Sequence, residues 1–387
     1  MKNLKIISVV GARPNFMKVA PFCRALKAYP QVKHVLVHTG QHYDVRMSEQ
    51  FFRELDIPNP DINLEIGSGT HAEQVGRTMM AFEKVLRDEK PDWVVVLGDV
   101  NATIACSITA KKEHVKCAHI EAGLRSRDMD MPEEINRLVT DRLSDLLFTP
   151  DRLSNANLKA EGVSDEKIKF VGNIMIDTLE REREKAAQLD VKKIIMDNLI
   201  DEVKVRGEGE QLRVPFLVDG EYVGMTMHRP SNVDKRETLV PAMRFFLDEV
   251  ARERQIVWAI HPRAQKMLKE FGLWDEVVAH PNLVLVKPLG YHAMLRLNMG
   301  ARLFMTDSGG LQEECCVLGT PCLTMRWNTE RPVTLMENGG ASILVGNAVD
   351  KIRAAYRVQV NAERRAMRPE LWDGQAAERI ARILVES

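Results

Sequence analysis

Short apolar, β-branched runs recur along this chain at the spacing of strand–helix–strand units, and no other property of the sequence narrows its possible folds as much. In the first half the runs are Lys5 to Val10, His34 to Thr39, Trp93 to Leu97, Cys117 to Ile120, Leu146 to Thr149 and Ile168 to Val171. The series resumes at Tyr222 to Met227, Ile256 to Ile260, Leu283 to Val286, Leu303 to Thr306, Pro321 to Met325 and Ser342 to Val345. Helix-like stretches separate most of them. Strands alternating with helices imply parallel sheets, because a parallel neighbour needs a crossover long enough to hold a helix. Two groups of about six strands therefore predict two doubly wound α/β domains facing one another across a cleft. The boundary is expected near Gly172 to Leu179, giving a first domain over 1–175 and a second over 176–361. The tail 362–387 has a helical pattern with Trp372, Ile380, Ile383 and Leu384 as buried positions, and is expected to pack back on the first domain. The charged stretch Arg181 to Gly220 reads as helix plus surface loop.

The chain has 387 residues, 45% hydrophobic and 28% charged, enough for two ordinary cores. Lys and Arg total 54 against 55 Asp and Glu, so no global field favours a nucleic acid or an anionic membrane. The first apolar run is shorter than a signal-peptide core and no later run is long enough to span a bilayer, so a cytoplasmic protein is expected. Cys23, Cys106, Cys117, Cys315, Cys316 and Cys322 form no CxxC pair and no zinc-type spacing. They read as buried free thiols, and no metal site is expected.

In open α/β sheets, ligands bind beyond the carboxyl ends of the strands. The residues at those ends are unusually polar here: Gly11-Ala12-Arg13, Gly40-Gln41-His42, Gly98-Asp99, Glu121-Ala122-Gly123, His228-Arg229, His261-Pro262, Asp307-Ser308-Gly309-Gly310 and Arg326. Turn formation accounts for the glycines but not for the histidines, arginines and acids. Asp307 to Glu314 follows a strand and opens a helix, where free N–H groups and the helix dipole favour a phosphate. Gly309 and Gly310 admit close approach, Ser308 can cap or donate, and Glu313 or Glu314 lies one turn in, within reach of ribose hydroxyls. Arg13 and Lys18 are cationic partners in the other domain. Pro132 near a helix start places Glu133 and Arg137 on one face at i,i+4. No G-x-G-x-x-G follows the first strand, where Arg13 and Pro14 stand in the way, and no G-x-x-x-x-G-K-[ST] occurs anywhere. Nicotinamide chemistry and a P-loop NTPase are thereby disfavoured, and no cofactor is expected.

These blocks, with Pro14-Asn15-Phe16-Met17-Lys18, His119-Ile120-Glu121-Ala122-Gly123-Leu124-Arg125, Pro132-Glu133-Glu134-Ile135-Asn136-Arg137 and Thr329-Glu330-Arg331-Pro332, resemble in order the non-hydrolysing UDP-N-acetylglucosamine 2-epimerases, from residue 4 to about residue 345. The resemblance implies two Rossmann-like domains of the glycosyltransferase-B type. It also implies interconversion of UDP-GlcNAc and UDP-ManNAc by elimination of UDP to a glycal and re-addition, in a homodimer supplying surface-polysaccharide precursors. It marks Asp99, Glu121, Glu133 and His228 as catalytic and Arg13, Lys18, Ser308, Gly309, Gly310 and Glu314 as UDP contacts. Arg137 is expected to orient Glu133 or the diphosphate, and the strand-end His261 joins the substrate contacts, with Gln41 and His42 marginal. The chain departs from many relatives at Ser231-Asn232 and at Val333, which puts in doubt an allosteric UDP-GlcNAc site. Competing readings are a UDP-sugar glycosyltransferase of the same fold, a hydrolysing epimerase and a non-catalytic nucleotide-sugar sensor.

Overall fold

The structure, a computed structural model, describes residues 3–40, 51–206 and 217–387, apart from the side chains of residues 13 and 204–206. It divides into two compact units, one of residues 1–181 with 368–387 and one of residues 182–367. All the apolar runs named above are strands, and both units are doubly wound α/β folds with all-parallel sheets.

Unit 1 carries β1 (Leu4–Val10), β2 (Val32–His38), β3 (Ile62–Asn63), β4 (Trp93–Leu97), β5 (Lys116–Ile120), β6 (Leu146–Thr149) and β7 (Ile168–Phe170) in the order β3-β2-β1-β4-β5-β6-β7. The two-residue β3 is absent from the sequence reading. It is too short to register as an apolar run and exists because it pairs with Val37 and His38. Alternate residues on the strands divide between the sheet's faces. Ile7, Val9, Val35, Val37, Val94 and Val96 pack with Phe82, Leu86 and Cys106 of the helices His71–Glu89 and Asn101–Lys112.

Unit 2 carries β8 (Val223–Thr226), β9 (Ile256–Ala259), β10 (Leu283–Val286), β11 (Leu303–Thr306), β12 (Cys322–Thr324) and β13 (Ser342–Leu344), in the order β10-β9-β8-β11-β12-β13. The alternation is plain here too. Val223, Met225, Ile256, Trp258, Leu303 and Met305 fill one core layer, while Val257, Ala259, Val284, Phe304 and Cys322 fill the other.

In each sheet the strand order reverses once, between β1 and β4 in unit 1 and between β8 and β11 in unit 2. Adjacent crossovers leave on opposite faces at such a point, which opens a crevice at the strands' carboxyl ends.

Tail residues Trp372, Ile380 and Leu384 are buried and Ile383 is half-buried, but the helix runs only over Ala376–Glu386. Asp177 anchors its start within unit 1, accepting from the N–H groups of Ala376 at 3.1 Å and Ala377 at 2.7 Å. The charged linker region forms helices Ile174–Ala187, Val191–Asn198 and Asp201–Arg206. All six cysteines are buried and free.

Candidate active site

At the switch point of unit 1, the turn after β1 is tied to the end of β4 by a single side chain. Asn15 Oδ1 accepts from Gly11 N–H and Ala12 N–H at 3.0 and 3.2 Å, and its Nδ2 donates to the Leu97 carbonyl at 2.9 Å. One turn further along the helix Arg13–Leu26, Lys18 is buried, and its Nζ lies 2.5 Å from Glu121 Oε2 at the end of β5. Lys18, expected on UDP, is thus held by an acid of its own unit. A Cβ on Gly98 would come within 2.7 Å of the Lys18 ammonium, so glycine there makes room for the cation as well as for a φ of +64°.

Glu121 has a φ of +74°, a left-handed conformation unusual outside glycine, and its side chain is 3% exposed. Its N–H and that of Ala122 both donate to the Phe148 carbonyl, at 3.1 and 3.0 Å. Asp99 follows β4 through Gly98. Its carboxylate is bonded by Arg137 Nη2, and its carbonyl accepts from Asn136 Nδ2 at 2.7 Å. Arg137, fully buried, also lies 3.3 Å from Glu134 Oε2.

The expected pairing of Arg137 with Glu133 is therefore replaced. Glu134 is drawn inward because it also accepts from Ser126 N–H and Arg127 N–H, at 2.9 and 3.0 Å. Glu133 is half-buried on the first turn of the helix Pro132–Leu143, and its carboxylate has no hydrogen-bonding or ionic partner among the described residues. The side chain of Arg13, and Gln41 and His42 entirely, lie outside the described residues.

In unit 2 the switch point is organised by a residue the sequence reading treated only as the start of a phosphate loop. Asp307, fully buried after β11, places Oδ1 2.7 Å from His228 Nδ1. Its Oδ2 accepts from the N–H groups of His228 and Arg229, at 2.9 and 2.8 Å, and from Asn232 Nδ2 at 3.0 Å. Burial pushes the Asp307 carboxyl up, but the His228 hydrogen bond and charge and these backbone donors outweigh it and hold it at about 2. An ionised Asp307 fixes the proton on His228 Nδ1. The Nε2 of this partly exposed ring is left as the nitrogen that can exchange a proton, the arrangement by which a buried acid orients a catalytic histidine.

The His261 ring lies 5.5 Å from that of His228, centroid to centroid. His261 caps the helix Pro262–Glu270, with Nδ1 accepting from Arg263 N–H at 3.1 Å, which puts its own proton on Nε2.

Ser308 is the N-cap of the helix Gly309–Leu318, and its hydroxyl makes no capping bond. The first-turn N–H groups are therefore not satisfied by their own cap, which suits an anion. Arg331 stands beside them. A Cβ on Gly309 would lie 2.5 Å from its Nη1, and its Nε donates to Glu313 at 2.7 Å. Glu314 points into the interior beside Tyr291 and Asn298. Burial, with the Glu313 charge adding to it, pushes its carboxyl up to about 7 against hydrogen bonds from those two residues.

Sequence reasoning therefore assigned no site role to Asp307, Asn232, Arg229 or Arg331. Each is visible in the sequence only as part of a motif, and the signal that points to Asp307 is an acid directly following a buried strand and opening the next helix.

The model of the family described as UDP-N-acetylglucosamine 2-epimerase matches residues 24–385. The UDP-N-acetylglucosamine 2-epimerase of Methanocaldococcus jannaschii is 40% identical over 98% of this chain and 99% of its own. A crystal structure of that organism's enzyme in complex with UDP-GlcNAc and UDP superposes with a TM-score of 0.88, covering 99% of this chain and 100% of that one. The UDP-2,3-diacetamido-2,3-dideoxy-D-glucuronate 2-epimerase of Pseudomonas aeruginosa is 37% identical over 99% of this chain and all of its own length.

Proposed function

The chain belongs to the UDP-N-acetylglucosamine 2-epimerase family, and on that premise we propose that it interconverts UDP-GlcNAc and UDP-ManNAc without hydrolysis. The observation that carries this reading is Glu121: a buried carboxylate at a strand end, in left-handed backbone, against the Lys18 ammonium. Such an arrangement costs stability and recurs where chemistry is done.

The C2 proton of the sugar is not adjacent to a carbonyl, so direct exchange is slow, and elimination offers a route. A base takes the C2 proton, the C1–O bond breaks, and UDP leaves with the bonding electron pair to give a 2-acetamidoglucal. UDP oxygen then re-adds to C1 while an acid protonates C2 on the opposite face. The acids proposed for these transfers are Asp99, Glu121 and Glu133, with His228 as a further proton carrier, and the donors proposed for the diphosphate are Ser308, Gly309 and Gly310, with Arg331 beside them. Arg13 is assigned to the diphosphate and Glu314 to the ribose. The protein is taken to act in the cytoplasm as a homodimer that supplies surface-polysaccharide precursors.

A second sugar is favoured by one comparison: the Pseudomonas relative acts on a diacetamido uronate and matches end to end. The test is to incubate the purified protein separately with UDP-GlcNAc and with UDP-2,3-diacetamido-2,3-dideoxy-glucuronate and separate the products chromatographically. A mixture of UDP-GlcNAc and UDP-ManNAc with no free UDP supports the proposal. Accumulating UDP with free ManNAc means hydrolysis, and turnover of the uronate alone reassigns the substrate.

A further inference from the structure

His119 is fully buried near the end of β5, and both its ring nitrogens face acceptors. Nε2 lies 2.7 Å from the Gly98 carbonyl oxygen and Nδ1 lies 2.6 Å from Asp141 Oδ1. A carbonyl oxygen only accepts, so Nε2 carries a proton and donates it. At 2.6 Å a second proton must lie between Nδ1 and the carboxylate, since two lone pairs would repel. The other oxygen of Asp141 lies 2.7 Å from Arg125 Nη1 and accepts from Gly123 N–H at 3.0 Å. Burial pushes the Asp141 carboxyl up, but the His119 and Arg125 charges and hydrogen bonds outweigh it and hold it below the usual carboxylate range. Arg125 is neutralised in turn by Glu161, at 2.8 and 2.7 Å.

This network stands where an apolar cluster would serve stability as well, because buried ion pairs are often no better than well-packed hydrophobic residues. What distinguishes it is what its ends hold. Gly98 immediately precedes Asp99, and Gly123 lies two residues beyond Glu121. The path from the Gly98 carbonyl through His119 and Asp141 to Gly123 N–H thus brackets Glu121 and anchors the backbone of Asp99. Gly98, Glu121 and Gly123 all have positive φ, of +64°, +74° and +81°. For Glu121 such a conformation costs on the order of 1–2 kcal/mol, and it persists only where its surroundings over-determine it.

We propose that His119 and Asp141 are positioning residues: their shared proton locks the ends of β4 and β5 together and so fixes the separation of Asp99 and Glu121. The proposal rests on the reading above of those two acids as the proton-transferring groups. Neither His119 nor Asp141 reaches the sugar itself; both act through backbone. Errors of about 1 Å in such a site cost on the order of a hundredfold in rate.

The test compares full-length wild type with His119→Asn and Asp141→Asn. Steady-state epimerisation of UDP-GlcNAc should show kcat lowered at least about tenfold, approaching the hundredfold scale. KM and the calorimetric UDP affinity should stay near wild type, and circular dichroism should be unchanged. Either kcat near wild type in both variants, or loss of UDP affinity and folded signal in step with kcat, overturns the proposal, the second because it marks a merely structural role. A measurement independent of variant folding is histidine-selective ¹⁵N NMR of the wild type at neutral pH. Protons on both His119 nitrogens, one strongly downfield, are expected, and a ring with a bare Nδ1 refutes the shared proton. If the wild type leaves UDP-GlcNAc untouched, the functional reading fails and the positioning role with it, whatever the NMR shows.

Discussion

Lys18 Nζ sits 2.5 Å from Glu121 Oε2, and the two side chains are 4% and 3% exposed, so an acid proposed for catalysis is neutralised by a cation from the helix that follows the first strand. Removing one partner of such a pair strands the other as an uncompensated buried charge.

Lys18→Met should therefore lower the unfolding free energy by about 3–5 kcal/mol, measured by urea denaturation at pH 7.5. Adding Glu121→Gln to it should recover much of that loss, because the stranded charge is removed. A loss below about 1 kcal/mol for Lys18→Met alone would mean that the pair is not formed in solution.

Asp307 is held at about 2 in the folded chain against 3.8 for an ordinary Asp. A carboxyl depressed by folding contributes stability that is present above its unfolded value and lost as pH falls through the folded one. Wild type should thus exceed Asp307→Asn by a margin that is constant above about pH 4 and shrinks by about 2 kcal/mol between pH 4 and 2. Denaturation of both proteins across that window measures it, and a margin independent of pH contradicts the assignment.

Glu314 behaves with the opposite sign. Its carboxyl, raised from 4.5 to about 7, stabilises the fold below about pH 4.5, and that contribution is lost as pH rises through 7. Glu314→Gln should therefore be more stable than wild type at pH 8, by up to about 3 kcal/mol, and no more stable near pH 4. It should also bind UDP more weakly in calorimetry, the usual trade between stability and a binding group. A variant destabilised at pH 8 would count against the buried, protonated carboxyl.

The fold was legible because each central strand is a short, continuously apolar run and the residue after it turns polar. Trp93–Leu97 followed by Gly98-Asp99, and Leu303–Thr306 followed by Asp307-Ser308, are read directly. Who touches whom was not legible. Lys18 and Glu121, or His228 and Asp307, meet only because strand order reverses at the sheet centre, which no local pattern encodes. On the helix Pro132–Leu143, i,i+4 spacing points Arg137 at Glu133, whereas the inward pull of the Ser126 and Arg127 N–H groups brings Glu134 to it. The helix Gly309–Leu318 is buried from Leu311 to Val317, so its sequence has no polar face to show that Glu314 points inward.

Proton transfer at C2 through Glu121 is read out by incubating wild type and Glu121→Gln with UDP-GlcNAc in deuterated water and following the sugar H1 and H2 signals by NMR. Wild type should form UDP-ManNAc with deuterium at C2. Glu121→Gln, folded and binding UDP normally, should do so at least about a hundredfold more slowly. Product that retains protium at C2, or exchange by Glu121→Gln at close to the wild-type rate, would contradict it.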